Sequence, residues 1–195
     1  SGAQRSRGTT KSMEPITTSI QGLEVHVQKV FGDTRGLLAE MIQGGTTNPV
    51  VQDHGVGNIY ASIATGTHIA RAAHFHFKNH EIFFTMTGTA LWLFHDFREG
   101  SPTFGENAGV VLGFDAPTLP VHHPVYTLDQ KQMACIVVPA GVYHAYWPLT
   151  EEKVVTIAVA SEPHDDADYD RRTIKTVPGF LDILTQYEMD VAQQP

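Results

Sequence analysis

His74, His76 and Glu81 stand in the stretch His74-Phe75-His76-Phe77-Lys78-Asn79-His80-Glu81, which Gly88 closes. Side chains two apart on a strand share a face, so His74 and His76 project together from a strand. Glu81 has the wrong parity to join them without an interruption. Lys78-Asn79 has the composition of a turn, and a turn resets parity. The expectation is a second strand from Glu81 to Met86, folded back beside the first, so that two imidazoles and one carboxylate converge. A fourth candidate, His144, follows the turn Pro139-Ala140-Gly141. Three imidazole nitrogens and one carboxylate oxygen suit a divalent cation such as zinc, iron, nickel or manganese. Taken singly, each histidine is more often a satisfied core or surface residue than a ligand. The joint spacing carries the metal reading.

The elements that must position these groups are short strands. Residues 23–30 alternate apolar and polar over most of their length, the mark of a half-buried strand. Residues 31–36 read as a turn, 37–42 as another strand and 44–49 as loop. Further strands are expected over 58–63, 67–77, 110–114, 132–138 and 154–160. Residues 89–94 are apolar on both faces, so that strand needs cover on both sides. Residues 115–126 hold three prolines and His122-His123 and read as a long loop, its histidines solvated. Residues 161–172 carry Asp165, Asp166, Asp168 and Asp170 and read as an acidic, solvated loop. Phe180, Ile183, Leu184 and Tyr187 recur at helical spacing, which predicts one short helix over 178–191. Many short strands with Gly, Pro and Asn turns argue an all-β fold, a double-stranded β-helix or jelly roll with one short C-terminal helix. The expected organisation is a flexible tail over 1–15, a jelly-roll domain over 16–177 and a helical extension over 178–195.

Composition narrows the function classes. The 195 residues are 42% hydrophobic and 17% charged, which suits a globular domain with a real core. A net charge of −8 argues against nucleic acid and anionic membrane as partners. A small-molecule substrate, including an anionic one met by a few arginines, stays open. No apolar run approaches the ~20 residues of a membrane span, and no signal peptide is visible. Cys135 is the only cysteine and lies in an apolar run, so it reads as a buried structural thiol. A cytoplasmic protein is expected.

The full pattern of His-x-His, four residues, Glu, six residues, Gly and a later Pro-x-Gly-x-x-His resembles the two signature motifs of the cupin family. A closer resemblance extends beyond them. Val30-Phe31-Gly32-Asp33-Thr34-Arg35-Gly36 with Glu40 is similar to the opening of the dTDP-4-dehydrorhamnose 3,5-epimerases. Arg71-Ala72-Ala73-His74 stands at the place of their Arg-Gly-Leu-His. Asp96-Phe97-Arg98-Glu99-Gly100-Ser101-Pro102-Thr103-Phe104-Gly105 is close to their Asp-x-Arg-x-x-Ser-Pro-Thr-Phe-Gly, and Pro139-x-Gly-x-x-His144 falls on their Pro-x-Gly-x-x-His. These pieces occur in family order. The resemblance implies a jelly-roll homodimer acting on a nucleotide-linked 4-keto-6-deoxy sugar, with Arg35 and Arg71 helping to hold the nucleotide sugar and His74 in the place of the catalytic base.

The departures from that family concern the chemistry. Those epimerases need no metal. They carry Gln at the place of His76 and an active-site Lys near the place of Glu81, and the nearest alignment puts their catalytic Tyr at Ile157. The His-x-His, Glu set instead resembles the metal-binding cupin half of bifunctional capsular UDP-sugar enzymes, through Glu81-Ile82-Phe83. It also resembles quercetinase-type dioxygenases, through Glu81-Ile82-Phe83-Phe84 and Trp92.

Three readings follow. In the first, a keto-sugar isomerase or epimerase, a metal on His74, His76, Glu81 and His144 polarises a keto oxygen and a separate base removes the neighbouring proton. Ligand histidines cannot supply that base, which leaves His54, His68 and His80 as candidates, while Arg71 suits a phosphate. In the second, a dioxygenase, the same ligands serve an enol substrate within an apolar mouth lined by Phe84, Trp92 and Tyr146. In the third, the metal only stiffens a sugar-binding jelly roll.

Overall fold

A computed structural model describes residues 15–28, 30–42, 49–66, 69–113, 125–127, 133–149 and 153–194. Residues 1–14 of the expected tail, His68 and His122-His123 lie outside the described residues. In chain order the strands are β1 (Ile16–Thr17), β2 (Glu24–Val27), β3 (Val30–Asp33), β4 (Gly36–Ala39), β5 (Asn58–Ala64), β6 (Arg71–His76), β7 (Glu81–Thr87), β8 (Thr89–Asp96), β9 (Asn107–Gly113), β10 (Val125–Thr127), β11 (Ala134–Val138), β12 (Val142–Pro148), β13 (Val154–Ala160) and β14 (Tyr169–Arg171). Two helices, α1 (Pro49–His54) and α2 (Phe180–Gln186), complete the set with three single 3-10 turns. One sheet runs β1-β2-β11-β7-β13-β5, the other β10-β9-β8-β12-β6-β14, and β3-β4 form a separate hairpin. From β5 to β8, and again from β11 to β14, successive strands alternate between the two sheets, as a jelly roll requires.

That alternation corrects one expectation. β6 and β7 are not a hairpin; they belong to opposite sheets. The Lys78-Asn79 turn carries the chain across the sandwich, so Glu81 faces the two histidines through the interior and not from beside them. Two boundaries also shift. The strand expected over 37–42 is β4, and α1 begins at Pro49, where the sequence reads as loop. Proline suits a first helical position because its missing N–H has no partner there.

The space between the sheets is filled by Phe83, Trp92, Phe94, Val110, Ile136 and Tyr146 among others. The outer face of the β8-bearing sheet is covered by the C-terminal segment, where Phe180, Ile183 and Leu184 of α2 pack with Leu91, Leu93, Tyr143 and Trp147. Every residue of β8 is consequently buried, as its two-sided apolar pattern requires. Full burial of such side chains contributes about 1.5–3 kcal/mol each. On the outer face of the other sheet, Phe84, Cys135 and Val159 pack with Val51 of α1. Phe84 therefore points away from the interior, and its inward neighbour is Phe83.

Two local features aim the site. Gly141 has φ of 80° at the third position of a turn closed by Val142 N–H donating to Pro139 O at 3.2 Å, which leads into β12. Such a turn demands the left-handed conformation that glycine adopts freely. In β6, Ala72 and Ala73 both take left-handed values, φ of 66° and 61°. There the β12 pairing slips, with His144 opposite His74 but Ala145 opposite Ala72. Ala73 is the extra residue of a bulge, which re-aims a side chain at the end of a strand.

Candidate metal centre and cavity

The fold brings His74, His76, Glu81 and His144 together. One nitrogen or oxygen from each lies within 4.8 Å of all the others. His74 and His76 share the inward face of β6, His144 sits opposite His74 on β12, and Glu81 opens β7 on the facing sheet. His76 Nε2 lies 3.3 Å and His144 Nε2 3.2 Å from Glu81 Oε2. The two β6 histidines place their Nε2 atoms 3.2 Å apart.

The outer atoms of these side chains are held. His144 Nδ1 donates to the Val142 carbonyl at 3.2 Å, which leaves Nε2 facing the centre. The His74 ring hydrogen-bonds the Ala72 backbone. His76 Nδ1 lies 3.3 Å from Asp168 Oδ2, and Tyr60 Oη donates to Glu81 Oε1 at 2.6 Å. Glu81 Oε2 and His144 Nε2 are buried, and neither has a hydrogen-bond partner. Two lone-pair atoms so close repel unless a cation lies between them. Partners that fix the far side of each ligand while its near atom is bare are what a metal site requires, so the donor set fits a divalent ion.

The electrostatics set an anionic carboxylate beside two β6 imidazoles that shift in opposite directions. Burial, then His144 and His76, pulls His74 down to about 3. Burial opposes charge on Glu81 as well, but contacts with His144 and His76 outweigh it and hold the carboxyl well below its usual range. For His76 burial is likewise outweighed, here by Glu81 and Asp168, and the ring is raised. Tyr60 is pushed far up by burial and by the Glu81 charge, so its phenol stays protonated and donates.

The cluster opens on a cavity of about 410 Å³, within the range of small-molecule sites. Arg71, Tyr146, His164, Tyr169 and Arg171 line it along with His74 and His76. The His164 Nδ1 and Tyr169 Oη atoms are 3.2 Å apart. Of the candidates for a separate base, His54 is exposed and stacks on His80 with ring centroids 4.1 Å apart, and neither lines the cavity. Arg71 does line it. Arg35 is on the β3–β4 turn, 87% exposed and paired with Asp33, away from the cavity of its own chain. Ile157 alternates with the inward residues Thr156 and Ala158 and faces outward. Of the aromatics expected at the mouth, Tyr146 reaches the cavity, whereas Phe84 and Trp92 do not line it.

Sequence reasoning missed Asp168, Tyr60 and Tyr169. Asp168 falls in the stretch read as solvated loop, yet it is buried at the end of a 3-10 turn. Its carboxylate accepts from the backbone N–H of Lys78 at 2.8 Å and Asn79 at 3.1 Å, clasping the turn between β6 and β7. The alternation of Asn58, Tyr60 and Ser62 along β5 was the one available signal for Tyr60. The Asp96–Gly105 motif proves to be a hydrogen-bonded knot at the end of β8. Asp96 accepts from Arg98 Nε at 2.8 Å and from the Ser101 and Thr103 hydroxyls at 2.7 Å each. Cys135 is buried, beside Gln28, and burial pushes its thiol up to about 12, which removes it as a nucleophile.

Comparison with known proteins agrees with the fold. The sequence profile of the family described as dTDP-4-dehydrorhamnose 3,5-epimerase matches residues 17–119. The spore coat polysaccharide biosynthesis protein SpsL of Bacillus subtilis is 25% identical over 155 residues, covering 80% of this chain and 89% of SpsL. A dTDP sugar isomerase from Desulfovibrio desulfuricans superposes with a TM-score of 0.68 at 19% identity, over 84% of this chain and 92% of its own. The epimerase RmlC of Legionella pneumophila, solved with dTDP-4-keto-L-rhamnose, superposes at 0.66 and 19% identity, over 81% of this chain and 76% of its own.

Proposed function

Because this chain belongs to the dTDP-4-dehydrorhamnose 3,5-epimerase family, we propose that it is a metal-dependent isomerase or epimerase of a nucleotide-linked 4-keto-6-deoxy sugar. The observation that carries the metal is the bare, buried pair of Glu81 Oε2 and His144 Nε2 within a three-histidine, one-carboxylate set. His74, His76, Glu81 and His144 would hold the ion. Such an ion supplies Lewis acidity to a keto oxygen, which acidifies the adjacent C–H bonds.

The chain's own side chains do the rest. Arg71 at the cavity rim meets the anionic diphosphate. The proton acceptor is His164 with Tyr169, in place of His54, since these two line the cavity and are not members of the cluster. The reading includes a homodimer, supported by exposed Ile59 and Ile63 on the outer face of the edge strand β5 and by exposed Phe31, Leu37 and Leu38 on the β3–β4 hairpin.

The test is the metal-loaded and the chelated protein in deuterated water with a nucleotide-linked 4-keto-6-deoxy sugar. Deuterium entering at a carbon beside the keto group, and only with metal, is expected. Oxygen uptake on an enol or flavonol substrate instead would replace this reading with the dioxygenase alternative. Metal and sugar binding without any exchange would leave a non-catalytic binding protein.

A further inference from the structure

Among the described residues, Arg35, Arg98 and Arg172 are each paired with a carboxylate, that of Asp33, Asp96 and Asp170 respectively. The other two described arginines, Arg71 and Arg171, have no carboxylate partner there, and they are the two that line the cavity. Acidic groups are at hand, since Glu162 and Asp165 line the same cavity, yet neither arginine pairs with them. Two guanidiniums left unneutralised in one cavity repel each other, a cost that an anionic ligand removes.

Each is held by a neutral group. Arg71 Nε donates to Ser62 Oγ at 3.0 Å, and Ser62 Oγ lies 2.8 Å from Tyr146 Oη. With Nε engaged, the guanidinium keeps both Nη groups for another acceptor. The Arg171 guanidinium lies over the Tyr169 ring, its Cζ 4.6 Å from the centroid. Stacking uses the face of the guanidinium and leaves its in-plane N–H donors available.

The strands bring the two to one side of the cavity. Arg171 on β14 pairs with His74 on β6. The β6 bulge makes Arg71 the second pairing step from His74, because Tyr146 lies opposite Arg71 as His144 lies opposite His74. Without the extra residue, Arg71 would stand three positions from His74 and face the other way. Two steps along a strand and one strand across set the two Cα atoms roughly 8 Å apart. Two long side chains converge from that separation on one anion of two linked phosphoryl groups.

We infer that Arg71 and Arg171 are the two arms of one diphosphate clamp. Arg171 is the specificity-determining residue that reads the second phosphoryl group, and Ser62 is a positioning residue for Arg71. The inference rests on the nucleotide-sugar reading above for the identity of the ligand. It adds to that site the strand β14, which lies beyond the residues 17–119 matched by the family profile.

The experiment is calorimetric titration of thymidine diphosphate and thymidine monophosphate into metal-stripped protein, where no ion competes for phosphate oxygens. Wild type is expected to bind the diphosphate about 10- to 100-fold more tightly. R171Q should lose most of that preference, with monophosphate affinity within about 3-fold of wild type. R171K keeps the charge but not the planar fork and should fall between them. S62A should weaken diphosphate binding by about 3- to 10-fold, and that loss should vanish in an R71Q background, which a merely structural role of Ser62 would not produce. Diphosphate affinity in R171Q within about 2-fold of wild type would overturn Arg171 as an arm. So would an equal loss on both ligands, the mark of a general field. Wild-type protein that prefers neither ligand carries no clamp. Binding is read without turnover, so a diphosphate preference that survives where deuterium exchange is absent keeps the clamp and removes only the epimerase reading.

Discussion

Glu81 depends on Tyr60, and His76 on Asp168, for the direction in which each presents its free atom. Tyr60→Phe removes the donor at Glu81 Oε1, and Asp168→Asn removes the carboxylate beside His76 Nδ1. Each should weaken metal affinity by about 10- to 100-fold, read by competition against a chelating dye. His76→Ala should remove most of the bound metal, and unchanged metal content would refute the assignment of the centre. The four proposed ligands could be named from sequence because three fall within one short stretch and the fourth follows a marked turn. Asp168 and Tyr60 could not. Asp168 reaches His76 from 92 residues away and sits among aspartates that are mostly exposed. Tyr60 looks like any strand tyrosine until β5 is set opposite Glu81.

Among the elements, the β6 bulge aims His74, and the Asp96 knot closes the end of β8 opposite Val142. Ala72 has φ of 66°, a conformation that disfavours a Cβ by about 1–2 kcal/mol. Ala72→Gly should stabilise the fold by about 0.5–1 kcal/mol, the remainder being offset by the greater unfolded freedom of glycine. Denaturant midpoints would show it, and a loss of stability would contradict the bulge geometry. The glycine of the related Arg-Gly-Leu-His motif falls on this position, which explains why glycine suits it. In the knot, burial works against the Asp96 charge, but bonds from Arg98, Ser101 and Thr103 hold the carboxyl far below its usual range. A depressed folded pKa means that the contribution is complete above the unfolded value of ~3.9 and is lost as pH falls through and below it. Asp96→Asn should be less stable than wild type near neutrality and should show a flatter loss between about pH 5 and 2. Acid titration followed by circular dichroism measures both. Strand identities were legible from alternation and turn composition. Sheet membership was not, because alternation reports which face is buried and not which neighbour a strand pairs with. For that reason β6 and β7 read as a hairpin.

At the scale of the molecule, the edge strand β5 presents Ile59 and Ile63, 61% and 52% exposed, on its outer face. Sedimentation should show wild-type dimers, and I59K/I63K should shift the protein to monomers while keeping its metal content. Persistence of the dimer would move the interface elsewhere. Among the described residues no helix is long and apolar enough to cross a membrane. Among the ties of the C-terminal segment are the packing of α2 on the outer face and the carboxylate that clasps the sheet-crossing turn. That second tie makes occupancy of the centre audible at a distance. An ion that fixes His76 also fixes the oxygen pair gripping the Lys78 and Asn79 amides, so filling the centre should slow hydrogen–deuterium exchange at those two amides and shield residues 161–172 from proteolytic nicking.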